Sequence, residues 1–70
     1  MTNSKLLEEK IKQAGLKKAF IAKSLGITPY GFFNKLQNVT EFKAGEIKQL
    51  CVLLNIETFD ELKAIFFTEQ

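Results

Sequence analysis

The chain has 70 residues, a formal net charge of +2 and no histidine. A chain this short forms one domain and folds near the limit of stability, because it buries only about 60% of the surface that its unfolded state exposes. Since Cys51 is the single cysteine, the sequence offers no internal disulfide, no Cys/His metal cluster and no histidine acid-base site. We therefore expect a protein that is not an enzyme, without metal, cofactor or small-molecule substrate.

Two further classes are excluded by the distribution of apolar residues. No apolar run approaches the roughly 20 residues that a membrane-spanning helix needs. The first ten residues include Glu8 and Glu9 and lack the hydrophobic core of a signal peptide. We therefore expect a cytoplasmic protein without a membrane partner.

Charge is distributed unevenly along the chain. Residues 1–40 contain seven lysines and two acidic residues, a balance of +5, whereas residues 41–70 contain three lysines and six acidic residues, a balance of −3. Between Lys10 and Thr40 there is no acidic residue at all. A basic half of this kind suits a polyanionic partner, but a solvated face with counter-charges elsewhere would show the same run of lysines. Charge alone therefore does not decide whether the chain binds a polyanion.

Apolar residues recur at the spacing of α-helices in five segments. Asn3 and Ser4 can cap the first helix, and Thr28 followed by Pro29 is typical of the start of the third. Gly26 can take the left-handed conformation that ends the second helix. No segment shows the alternation of a strand. The sequence therefore predicts a single all-α domain over residues 1–70, with helices over about 4–14, 17–25, 29–37, 44–54 and 59–67.

The last two predicted helices differ in how they begin. Thr58 and Glu61 fit a capping box, in which each side chain accepts a hydrogen bond from the other residue's backbone amide. Lys43 precedes the fourth helix, where it is a poor N-cap because it has no acceptor and its charge opposes the positive end of the helix. A nearby phosphate would explain this lysine. Alternatively, Thr40 is the cap, or Lys43 extends into water.

The second and third predicted helices carry the most specific pattern. Only a few residues around Gly26 join them, and Ala22 is small enough to let them cross closely. A generic helical hairpin can share parts of this pattern, but the spacing favours a helix-turn-helix over residues 18–37 that offers its second helix outward. The apolar residues beneath the crossing are Leu25, Ile27, Phe32 and Leu36.

Residues 21–28, followed by Phe32 and Leu36, resemble the helix-turn-helix of the Cro/CI-type phage regulators, the XRE family. Residues 41–42, 46–51 and 65–67 are similar to small Cro-like proteins and repressor modulators of Gram-positive phages and prophages. The resemblance implies a compact five-helix, lambda-repressor-like DNA-binding domain. Such a domain acts in a bacterial host cell as part of a genetic switch, commonly as a dimer on a palindromic operator.

If the third helix enters the major groove of operator DNA, the side opposite Phe32 and Leu36 faces the bases. Asn34 and Gln37 can each pair with adenine. Because the chain has no arginine, the forked contact with guanine is missing and we expect a site rich in adenine and thymine. The predicted base or partner contacts are Thr28, Pro29, Tyr30, Phe33, Asn34 and Gln37.

Lysines flank this face. Lys17 and Lys18 stand at the start of the second helix and Lys43 at the start of the fourth, where helix N-termini favour anions. The predicted phosphate contacts are Lys17, Lys18, Lys23, Lys35 and Lys43, and Lys35 is also the candidate for reading guanine.

The outward face of the third helix departs from the family in being apolar. Tyr30 and Phe33 stand one turn apart beside Pro29 and Gly31. Exposed aromatic rings read no unique base pattern but fill pockets on other proteins. The alternative function is therefore an antirepressor or modulator that binds the cognate phage repressor through this aromatic face and blocks or alters its DNA binding. A third possibility is that one of the two rings turns into the core.

Phe66 and Phe67 are adjacent in the last predicted helix and cannot both face the same core. We expect these two residues to form the contact of a weak homodimer, or of a complex with another protein. A frayed terminus would explain the same pair without any partner.

Overall fold

The computed structural model of the chain describes residues 1–68 and contains five α-helices and no strand in that range. The Cα radius of gyration is 10.9 Å, close to the value of about 11 Å expected for a compact domain of this length. The prediction of an all-α chain is confirmed for these residues, and each helix end differs from the predicted one by at most one residue. The helices are α1 (Ser4–Ala14), α2 (Lys18–Leu25), α3 (Pro29–Leu36), α4 (Ala44–Leu53) and α5 (Phe59–Phe66).

The predicted domain runs to residue 70, and residues 69–70 lie outside the part of the chain that the structure describes. The longest helix, α1, has 11 residues. Across residues 1–68, none of the helices has both the length and the apolar character that crossing a membrane requires.

Side-chain caps begin α1 and α3. The Asn3 side chain accepts a hydrogen bond from the Leu6 amide at 3.1 Å, and the Thr28 hydroxyl accepts one from the Gly31 amide at 3.0 Å. Ser4 is not a cap, because it is already the first residue of α1 and its hydroxyl donates to the Leu36 carbonyl of α3. These side-chain oxygens satisfy amide groups that the helices themselves leave without a partner.

The two later caps differ from the predictions. Thr58 accepts from the Glu61 amide at 3.2 Å, but the Glu61 carboxylate pairs with Lys10 of α1, so the predicted reciprocal capping box is wrong in its second half. Thr40 as the cap of α4 is also wrong, because α4 begins only at Ala44 and the N-cap is Lys43. The Lys43 amide donates to the Glu46 carboxylate at 2.8 Å.

One apolar core lies between the five helices, and it includes three phenylalanine rings that pack in series. The Phe42 ring, in the loop before α4, lies edge-on 6.0 Å from the Phe32 ring and 5.8 Å from the Phe66 ring, measured between centroids. Edge-to-face pairs of this kind stabilise cores beyond the burial of their area. The buried apolar residues are Leu7, Ile11, Ile21, Ala22, Phe32, Leu36, Phe42, Leu50, Leu54, Ile56, Ile65 and Phe66.

The N-terminal residues tie the end of α3 to the end of α5. Asn38 has a φ of 62°, and its side chain accepts from the Thr2 amide and donates to the Thr2 carbonyl, both at 2.9 Å. One residue on, the Asn3 amide donates to the Ile65 carbonyl at 2.6 Å. The position of α3 in the fold is therefore fixed by hydrogen bonds as well as by apolar packing.

Candidate nucleic-acid interface

The helices α2 and α3 pack against each other across a connection of three residues. The Ile27 amide donates to the Ala22 carbonyl and the Gly26 amide to the Lys23 carbonyl, each at 3.0 Å, which is the Schellman arrangement that ends a helix at a left-handed residue. Gly26 has a φ of 75°, which glycine adopts without strain. Because α2 packs against both α3 and α4, α3 is supported from one side and presents the other to solvent.

The predicted contact face of α3 is the face that lies in solvent. Tyr30 is 74% exposed and Phe33 is 54% exposed, so the alternative that one of these rings turns into the core is wrong. Phe32, between them, occupies the core instead, since residues three and four apart share a helix face and its core-facing neighbour is Leu36. Thr28, Pro29 and Gln37 are also exposed, and Asn34 is half-buried.

The polar groups on this face keep hydrogen-bonding capacity. No side-chain hydrogen bond of Asn34 or Gln37 is formed within residues 1–68. At Asn34 the backbone carbonyl accepts from the amides of Val39 at 2.9 Å and Thr40 at 3.5 Å. Both carboxamides can therefore donate and accept toward an external partner. The Thr28 oxygen is occupied by its cap, although the hydroxyl proton remains available.

Four of the five predicted phosphate lysines lie at the surface. Lys17 and Lys43 are the N-cap residues of α2 and α4, and neither helix end has a side-chain cap bond from its lysine. Lys17, Lys23 and Lys43 form no salt bridge with any residue in the range 1–68, whereas Lys18 pairs with Glu8 at 2.8 Å. Lys43 also lies beside the end of α2, because it lines a cleft of about 440 Å³ together with Ser24 and Leu25.

The fifth lysine, Lys35, is buried and paired within the fold. Lys35 is only 9% exposed, and its Nζ contacts the Glu46 carboxylate at 3.0 Å and the Glu41 carbonyl at 2.9 Å. The prediction that Lys35 contacts phosphate or reads guanine is therefore wrong. Its sequence position carries a signal for this: Lys35 comes three residues after Phe32 and directly before Leu36, so its stem runs along the buried side of α3.

Glu46 has a role at the start of α4 that was not predicted from the sequence. Burial alone would raise the pKa of its carboxyl, but the hydrogen bonds from the Lys43 amide and the Lys35 ammonium, together with the charges of these lysines, hold the pKa below its ordinary value. Glu46 is therefore a carboxylate at neutral pH. Its signal in the sequence is an acidic residue three positions after the N-cap, where a side chain reaches back to the cap amide.

A second apolar surface lies between α4 and α5. It is a groove of about 540 Å³, called here the α4–α5 groove, whose walls include Ile47, Phe59, Leu62 and Phe67. Phe67 is 55% exposed, whereas Phe66 is 4% exposed and packs on Phe42. The prediction of Phe66 as an oligomer contact is therefore wrong, since its ring belongs to the core, and Phe67 remains a candidate.

Comparison of the chain with known protein families, curated proteins and solved structures found no match. The likeness to the Cro/CI-type regulators thus stays a prediction from the residues quoted above.

Proposed function

We propose that this chain is a phage or prophage transcriptional regulator of Cro type, with a lambda-repressor-like fold in which α2 and α3 form the helix-turn-helix. It binds double-stranded operator DNA with α3 in the major groove and controls a genetic switch in the cytoplasm of its bacterial host. The observation that carries this proposal is the pair of exposed lysines at N-cap positions, Lys17 and Lys43, whose side chains offer no acceptor to the first amides of α2 and α4.

A lysine at an N-cap is unfavourable in the free protein. It provides no acceptor for the first amides of the helix, and its charge stands beside the positive end of the helix dipole. A phosphate offsets both terms, because it accepts from the amides and neutralises the ammonium. Two such ends, with Lys23 exposed between them in sequence, support a phosphate backbone as the partner.

The face of α3 supports base contacts at the same time. The carboxamides of Asn34 and Gln37 suit adenine, and the exposed rings of Tyr30 and Phe33 can press on thymine methyl groups or sugars. Lys35 is engaged within the fold, which removes the one guanine contact the sequence suggested. The proposed operator is therefore rich in adenine and thymine.

Gel-shift binding to the promoter region next to the chain's own gene tests the proposal. The chain should retard this duplex and should lose it to unlabelled competitor of the same sequence at lower concentration than to a scrambled duplex. Equal competition by both duplexes, or no retardation at low salt, would refute operator recognition.

A second candidate function is favoured by the exposure of Tyr30 and Phe33. Two aromatic rings one turn apart on an exposed helix form the kind of anchor that fills a pocket on another protein. In this version the chain is an antirepressor or modulator that binds the cognate CI-type repressor through α3 and prevents the repressor from binding DNA. Both functions use the same face, and the two partners would compete for it.

Substitution of Phe33 by serine separates the two candidates. If the chain is a modulator, Phe33→Ser should weaken association with the neighbouring repressor, measured by calorimetry, because the anchor is lost. Phe20→Ser, which removes an exposed ring of α2 instead, is the matched control and should leave association intact. Unchanged repressor association in Phe33→Ser, with operator binding abolished, rules out the modulator.

A further inference from the structure

The side chain of Lys35 connects α3 to the start of α4 through one carboxylate. Its Nζ lies 3.0 Å from Glu46 Oε1, and the same oxygen accepts the Lys43 amide at 2.8 Å. Nζ also donates to the Glu41 carbonyl at 2.9 Å and lies 5.9 Å from the centroid of the Phe42 ring. The last three residues of the loop between α3 and α4, Glu41 to Lys43, are therefore held by one buried cation and its carboxylate partner.

This arrangement links two parts of the proposed DNA surface, the start of α4 and the contact face of α3. The residue before α4 is Lys43, one of the exposed lysine N-caps, and the residues around Lys35 on α3 include Asn34 of the contact face. Both charges of the ion pair are nearly buried, with side chains 11% and 12% exposed. A buried pair of this kind costs desolvation and is weak evidence for stability, so its use in fixing one geometry is the better explanation.

We infer that Lys35 and Glu46 are positioning residues, which hold the N-terminus of α4, and with it Lys43, in register with α3 so that both meet the same DNA. Neither residue touches DNA. This inference rests on the proposed function for the DNA part, whereas the positioning itself is a property of the free protein and can be measured without DNA.

A charge-neutral double variant isolates the positioning. Lys35→Met with Glu46→Gln removes both charges, leaves no unpaired buried charge, keeps the net charge of the chain and retains a side-chain oxygen that can accept the Lys43 amide. The matched control is Lys10→Met with Glu61→Gln, which removes the ion pair between α1 and α5 in the same way. In the free protein, amide exchange at Lys43 should be protected in wild type and control and should lose protection in the Lys35/Glu46 variant. Equal protection in all three overturns the inference.

The DNA part is tested by adding Lys43→Ala to each background. In wild type and control this substitution should reduce the slope of log affinity against log salt by about 0.9, the loss of one phosphate contact. In the Lys35/Glu46 variant the slope should already be reduced, and Lys43→Ala should change it little further. A full loss of about 0.9 in that background overturns the inference. A slope loss in Lys35→Met that is additive with Lys43→Ala overturns it too, since Lys35 would then be a direct contact.

Two remaining outcomes are also decisive. If the double variant is unfolded by circular dichroism, Glu46→Gln supplies the same comparison, because each effect of Lys43→Ala is read within one background and the altered charge cancels. If the wild-type chain binds no duplex, the proposed function fails, and the exchange at the Lys43 amide alone decides whether Lys35 and Glu46 position α4.

Discussion

The side chain of Thr28 has two roles. Its hydroxyl caps α3 by accepting the Gly31 amide, and its exposed side chain stands at the edge of the proposed contact face. A Cβ added at Gly31 would lie 3.2 Å from the Thr28 hydroxyl oxygen. Glycine at this position therefore leaves room for the cap, which offsets part of its unfavourable helix propensity.

Loss of this cap should be measurable as loss of stability. We expect Thr28→Ala to lower the free energy of unfolding by about 1 kcal/mol, because a first-turn amide of α3 loses its acceptor. In a domain of this size that corresponds to a decrease in Tm of about 4–8 °C. Thr40→Ala, in the exposed loop before α4, is the control and should leave Tm unchanged. Equal effects of the two substitutions would show that Thr28 is not a cap in solution.

For single residues, the sequence predicts which side of a helix is buried but not which distant residue a side chain pairs with. Helical spacing places Phe32 in the core and Tyr30 outside, since period alone separates the two faces. Helical spacing did not reveal the partner of Lys35, because Glu46 lies on another helix. The pairing depends on how α3 and α4 are placed relative to each other. The Asn38 bonds to Thr2 join residues 36 positions apart and leave no periodic trace in the sequence.

The start of α4 is joined to α3 by a nearly buried ion pair. Glu46 is held as a carboxylate by the Lys43 amide and the Lys35 ammonium, with its pKa below the ordinary value of 4.5. A group whose pKa is depressed by folding contributes stability above its unfolded pKa, and this contribution is lost as the pH falls through the folded pKa. Protonation of Glu46 should therefore weaken the fold, and only under acid conditions.

Glu46→Gln tests this linkage. At pH 7 the variant should be less stable than wild type by roughly 1–3 kcal/mol, because the buried Lys35 loses its counter-charge. As the pH falls below about 4.5 the difference should shrink, since wild-type Glu46 becomes protonated as well. Chemical denaturation from pH 7 to pH 2.5 measures it. Glu57→Gln, which removes an exposed carboxylate, is the control, and a difference for Glu46→Gln that is constant across pH would contradict the linkage.

Whole elements were more predictable than their mutual arrangement. Helix ends follow from local signals, such as Asn3, Thr28 and Gly26, which act within four residues. The packing of α2 against α4, and the groove that forms between α4 and α5, arise from residues distant in sequence. The sequence therefore indicated which faces are apolar, but it could not say that Phe66 is covered by Phe42 while Phe67 is left at the groove.

At the scale of the whole molecule, the α4–α5 groove is the surface we propose for self-association. It contains Phe67 together with the exposed ring of Phe59, and it includes no residue of α3. A symmetric dimer formed there would be self-complementary and would leave α3 of each copy available to DNA.

Phe67→Ser should shift this association toward the monomer in sedimentation velocity experiments, because it removes a large apolar side chain from the contact. Val52→Ser is the matched control, since Val52 is an exposed apolar residue of α4 that does not line the groove. A wild-type chain that is monomeric at high concentration, both alone and on DNA, would rule out the homodimer.

One surface, made of α3 and the surrounding lysines, is proposed to bind operator DNA. The most direct test is the salt dependence of binding to the promoter duplex. Phosphate contacts from Lys17, Lys18, Lys23 and Lys43 predict a slope of log affinity against log salt of about −3 to −4 per protomer, and Lys23→Gln should reduce its magnitude by about 0.9. Lys48→Gln, in the α4–α5 groove, should leave the slope unchanged. A slope near zero, or equal effects of Lys23→Gln and Lys48→Gln, would contradict the proposed DNA surface.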